Sequence, residues 1–83
     1  MGTLSEISRA RKNQLRSLLV ASRRLDAAQE ALEREAKRLS TRKRAIPELA
    51  DAQRLLELVR AVNAALDNLI KLLESLARAW AST

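Results

Sequence analysis

The stretch that decides the fold is Leu39-Ser40-Thr41-Arg42-Lys43-Arg44-Ala45-Ile46-Pro47-Glu48-Leu49. It holds the single proline of the chain and separates two long segments that neither Gly nor Pro interrupts. Pro47 is expected in the first turn of a second helix, where its missing amide hydrogen would have no intrahelical partner anyway. Ile46, directly before it, is pushed away from helical backbone angles. Glu48 and Asp51 favour the positive end of that second helix, and Lys37, Arg38, Arg42, Lys43 and Arg44 favour the negative end of the first. At the start of the chain, Thr3-Leu4-Ser5-Glu6 has the spacing of a capping box. These signals predict one domain over 1–83, with helices over about 4–40 and 47–81 and a loop over about 41–46. Matched lengths and a short loop argue for an all-α antiparallel two-helix hairpin. One long helix kinked at Pro47 is the alternative.

Composition removes most chemistry. Among 83 residues there is no Cys, His, Tyr or Phe, and one each of Trp, Gly and Pro. Disulfide scaffolds, thiolate or imidazole metal sites and His-dependent nucleophiles are therefore excluded, and no cofactor or metal is expected. There is no Glu-x-x-His pair for a di-metal bundle and no Gly-rich phosphate loop, so an enzyme is not expected. Sixteen Leu and fifteen Ala among abundant Arg and Glu point to helix throughout. The longest charge-free runs, Ser17 to Ser22 and Ala61 to Leu66, are six residues each, far below the roughly 20 needed to span a bilayer. No basic-then-apolar leader is present. The expectation is a soluble, cytoplasmic protein without membrane insertion.

Heptads then predict how the helices meet. In the first helix Leu4, Leu18, Leu25, Leu32 and Leu39 recur at seven-residue steps, with Arg11 in the gap. In the second, Leu49, Leu56, Asn63, Ile70 and Ala77 form one row and Ala52, Val59, Leu66, Leu73 and Trp80 its companion. Folding at the loop sets Leu39 beside Leu49, Leu32 beside Leu56, Leu18 beside Ile70 and Arg11 beside Ala77. The expected intra-hairpin seam is thus Leu18, Leu25, Leu32, Leu39, Leu49, Leu56 and Ile70, in a left-handed supercoil.

A second apolar stripe runs beside the first on the second helix: Leu55, Leu58, Val62, Ala65, Leu69, Leu72 and Leu76. One seam suffices to hold the first helix, so this stripe is expected to serve self-assembly, because a lone hairpin would leave it in water. The expected partner is another copy of the chain. A cyclic ring, with the second helix inside and the first outside around a lumen, is favoured over a dimeric four-helix bundle. Asn63 is expected to form a polar layer with Ser22 that penalises wrong registers; the alternative is that it simply faces solvent. Arg11 is placed to stack on Trp80; the alternative is that Trp80 is an apolar plug at the open end.

Charge is unevenly spread. Residues 1–45 carry twelve Lys or Arg against five acids, whereas residues 46–83 carry four against five. A basic first helix could neutralise phosphates, yet it has neither helix-turn-helix spacing nor an aromatic platform, so nucleic-acid binding is the lesser expectation. Two Leu-x-x-Leu-Leu matches, at Leu15 and Leu69, arise readily in any Leu-rich heptad helix. A protein-binding module using the exposed stripe is the main rival to self-assembly.

The matched uninterrupted helices, the Thr3–Glu6 box, the doubled heptads and the isolated Asn63 together resemble de novo designed helical-hairpin homo-oligomers. That resemblance implies bundles of hairpins in two concentric layers, some enclosing a water-filled channel. The chain departs from that style in its Arg-rich, strongly basic balance.

Overall fold

A computed structural model describes residues 3–43 and 46–82. Two helices, α1 (Leu4–Ser40) and α2 (Leu49–Ala81), fold back on each other as an antiparallel hairpin. The continuous-helix alternative is therefore excluded. Thr3 caps α1, its Oγ1 accepting the Glu6 amide at 3.2 Å. The other end needs no Gly: the Thr41 amide and hydroxyl both donate to the Lys37 carbonyl, at 3.0 and 2.9 Å. The Thr41 hydroxyl also lies 3.4 Å from the Arg38 carbonyl, one of the last carbonyls for which a helix end has no backbone donor.

The start of α2 differs from expectation by one element of the turn. Pro47 lies outside the helix, and Glu48 is the N-cap in extended conformation. The Asp51 carboxylate accepts the Glu48 amide at 2.9 Å, closing a capping box in addition to its favourable charge at the helix N-terminus. Arg44 and Ala45, the tip of the expected loop, lie outside the described residues.

The seam of α1 is as expected: Leu18, Leu25 and Leu32 are half-buried and Leu39 is buried. On α2 the stripe that meets α1 is the other one. Leu55, Leu58, Val62, Ala65, Leu69 and Leu72 are half-buried against α1 and Leu76 is buried. Leu49, Leu56 and Ile70, expected in the hairpin seam, remain 74, 48 and 45% exposed. The correction amounts to a rotation of α2 by one residue, about 100° about its axis. Leu39 accordingly shares a hollow with Ala52 and Leu55, and Ala31 shares one with Leu58. The physical reason lies in what each stripe contains. The stripe turned toward α1 is aliphatic from Leu55 to Leu76, whereas the other holds Asn63, whose amide would be costly to desolvate against Leu25.

The resulting core is thin. Only Ala21, Leu39 and Leu76 are buried among the described residues. The hairpin measures 68 × 17 × 12 Å between Cα extremes.

Candidate functional site

The larger apolar side chains that remain exposed on α2 are not scattered. Leu49, Ala52, Leu56, Val59, Asn63, Leu66, Ile70, Leu73 and Ala77 are all exposed, and they alternate at steps of three and four residues. Such steps keep them on one line of the helix surface. Each follows a seam position by one residue, as Leu56 follows Leu55 and Ile70 follows Leu69. The line therefore runs beside the hairpin seam, about 100° around the helix, for about 47 Å from Leu49 to Trp80.

α1 extends this surface at one end. Leu15 and Leu19 also follow seam positions, Gln14 and Leu18, by one residue, and both are exposed. In antiparallel helices the same forward step turns side chains toward the same broad face, because one helix winds clockwise and the other anticlockwise from a common viewpoint. Leu15 and Leu19 thus adjoin the C-terminal half of the α2 stripe. Beyond Leu19 the matching positions of α1 are Ser22, Asp26, Gln29 and Glu33, so only α2 carries the apolar line over its whole length. Val20, two residues past Leu18, points away from this face.

The opposite broad face is different in kind. It presents Ala61 and Ala64 among Arg54, Glu57, Asn68, Lys71, Ser75 and Arg78. Arg54 pairs with Glu57 at 3.7 Å and Lys71 with Asp67 at 3.0 Å, both in solvent. The larger exposed apolar side chains of α2 therefore lie on one side only.

Surface area makes the same point. The chain exposes 6900 Å², whereas a compact monomer of its mass is expected to expose roughly 5,000 Å². The excess is larger than one partner's share of a standard protein–protein interface, about 800 Å².

Asn63 and Ser22 are not joined. Ser22 is half-buried, Asn63 is exposed, and among the described residues no hydrogen bond links them. Within the hairpin Asn63 is thus solvent-facing, and a polar layer could form only on contact with another chain.

Two polar clusters close the ends of the hairpin. At the open end the Arg11 guanidinium lies 5.1 Å from the centroid of the Trp80 ring, as the sequence suggested. The Trp80 indole N–H also donates to Gln14 Oε1 at 2.7 Å, a contact the sequence reading missed. Its signal was the three-residue step from Arg11 to Gln14, which brings both side chains to the level of Trp80. At the loop end Arg38 forms an ion pair with Glu35, its Nε 3.2 Å from Glu35 Oε2. This hydrogen bond from Arg38, aided by the charges of Arg38 and Arg54, holds the Glu35 carboxyl below the usual glutamate range. Glu30 and Arg34, four residues apart on α1, pair in solvent at 2.9 Å.

Ser5, Ser8, Arg9, Lys12, Asn13 and Arg16 surround a shallow polar depression on the outer side of α1. Among the described residues no cluster of carboxylates is placed to hold a metal ion, and no helix is long and apolar enough to cross a membrane. No protein-family model, curated protein or solved structure matches the chain.

Proposed function

We propose that the chain is a structural subunit that self-assembles into a symmetric homo-oligomeric helical bundle. The observation that carries this reading is the exposed heptad line on α2, which runs from Leu49 to Ala77 and is interrupted in polarity only at Asn63. Seven-residue repeats of this kind are what a second helix recognises. The residues that form the assembly surface are those first assigned to the hairpin, and the stripe first assigned to assembly closes the hairpin instead. The layout's resemblance to designed hairpin oligomers supports the same function.

Sedimentation equilibrium tests it. The expected result is a single species heavier than one chain at micromolar concentration. A well-folded monomer throughout that range would refute self-assembly. It would favour the rival reading, in which the same face receives an amphipathic helix of another protein.

A further inference from the structure

We infer that two copies dock through this face with their α2 helices antiparallel, about a two-fold axis that crosses the helices between Ala64 and Ala65. The inference rests on the self-assembly reading and specifies its geometry. Its basis is that the exposed line is complementary to its own reverse. Ten heptad positions lie between Leu49 and Trp80, and antiparallel coiled coils set the first-row position of one helix against the companion-row position of the other. Turning the line end for end about its centre places Ala52 on Ala77, Leu56 on Leu73 and Val59 on Ile70, each pair matched in size; the central pair, Asn63 on Leu66, is the unmatched one. At each end Leu49 of one copy reaches the edge of Trp80 of the other, whose ring is already half-buried against Gln14 and Arg11 of its own chain. Displacing one helix by a heptad in either direction breaks these matches and strands two positions at each end.

Charge selects the same register. Arg60 and Asp67 border the apolar line on the edge away from α1, as do Gln53 and Glu74. In the full-overlap antiparallel register Arg60 of each copy faces Asp67 of the other, and Gln53 faces Glu74. A slip of one heptad brings Arg60 against Arg60, or Asp67 against Asp67. The Arg60–Asp67 contact occurs twice in the pair, once on each side of the axis. Lys71, the present partner of Asp67 in solvent, lies one turn further along the helix.

Asn63 also gains a role. The axis passes one to two residues from it, so the two Asn63 side chains lie about 4.5 Å apart along the helices. Their amides can then bond to each other. The Asn is the one member of the line whose burial requires a partner, and the axis supplies it.

The area lies at the low end for a specific contact. A strip about 47 Å long and about 10 Å wide on each copy buries of the order of 1,000 Å² in total. Because a single apolar face is matched to itself, the contact is isologous and closes at two copies. A ring would need a second, different face on each hairpin, and the opposite face carries Arg54, Lys71 and Arg78 among its alanines. In the pair, α2 forms the centre and α1 the rim, with Ser22, Asp26 and Gln29 toward water.

Cysteine cross-linking decides the matter, because the natural chain has no Cys. Ala52→Cys and Ala77→Cys lie on exposed positions, and circular dichroism confirms that each variant keeps its helix content. In a glutathione buffer, an equimolar mixture of the two is expected to yield the mixed disulfide at least tenfold faster than either variant yields its own homodimer. A single variant that cross-links to itself as readily as to the other would overturn the antiparallel geometry in favour of a parallel one. A mass above two chains in sedimentation would overturn closure at two copies. An assembly of two copies in which no pair cross-links is judged by charge: Arg60→Asp and Asp67→Arg should each weaken association about tenfold, and the double variant should recover it. Failure of that rescue overturns the register. A monomer in all arms refutes the self-assembly reading itself.

Discussion

Truncating Ile70 and Leu73 together to Ala separates the two stripes of α2 most directly. The two side chains are 45 and 53% exposed in the hairpin, so together they offer about one full aliphatic side chain's worth of surface still to be buried. Full burial of such a side chain contributes about 1.5–3 kcal/mol, and Ala retains part of it. The loss is then about 1.5 kcal/mol per copy, or about 3 kcal/mol for a symmetric pair, which corresponds to roughly 100-fold weaker association. Ala is the better helix former, so the isolated hairpin should be no less helical. The matching change one residue earlier, Leu69→Ala with Leu72→Ala, strikes the half-buried seam against α1 and should lower the thermal midpoint at every concentration. Sedimentation equilibrium across a concentration series, with circular dichroism alongside, reads both effects. The role exchange between the stripes is refuted if Ile70→Ala/Leu73→Ala melts the hairpin and Leu69→Ala/Leu72→Ala leaves it intact. The assembly is refuted if neither changes the sedimenting mass.

Three further outcomes can be measured. Replacing Asn63 by Leu removes the one polar group on the line, so the assembly should become more stable and its size distribution broader by native mass spectrometry; one unchanged species would count against a specifying role. Gln14→Leu deletes the acceptor of the Trp80 indole, and Arg11→Ala deletes the cation over its ring. Each should cost about 0.5–1.5 kcal/mol and shift Trp80 fluorescence toward that of a solvated indole, whereas an unaltered spectrum would mean the end cluster does not form. Glu35 gives a pH signature. Its folded-state pKa is lowered by Arg38, so its stabilisation is complete above the ordinary glutamate value, about 4.3, and is lost as pH falls through the lowered folded value. The thermal midpoints of the natural chain and Glu35→Gln should therefore differ at neutral pH and converge in acid; a constant difference would exclude the ion pair as the cause.

The helices themselves were legible because their signals are local. Thr3 and Glu6 lie within one turn, Pro47 interrupts a long helical pattern, and heptads of Leu and Ala need no tertiary information to show that α1 has one apolar line and α2 has two. The stacking of Arg11 on Trp80 also followed from counting along both arms of the hairpin. The second partner of Trp80 was harder to see, because Gln14 is a polar residue among many and only its height opposite Trp80 marks it. The Asp51 cap was present in the sequence as Glu48-x-x-Asp51, but Pro47 drew the helix boundary to itself.

What the sequence determined alone is the pair of helices, the break between them and the presence of more apolar surface than one hairpin can bury. Which α2 stripe meets α1 was decided only by the tertiary structure. The two stripes differ by a single residue step, and heptad counting fixes the spacing along a helix but not its rotation about its own axis. That rotation depends on how α2 enters from the loop and on which face can be buried without stranding a polar group. The stripe free of polar residues went inward against α1, and the stripe carrying Asn63 was left facing out.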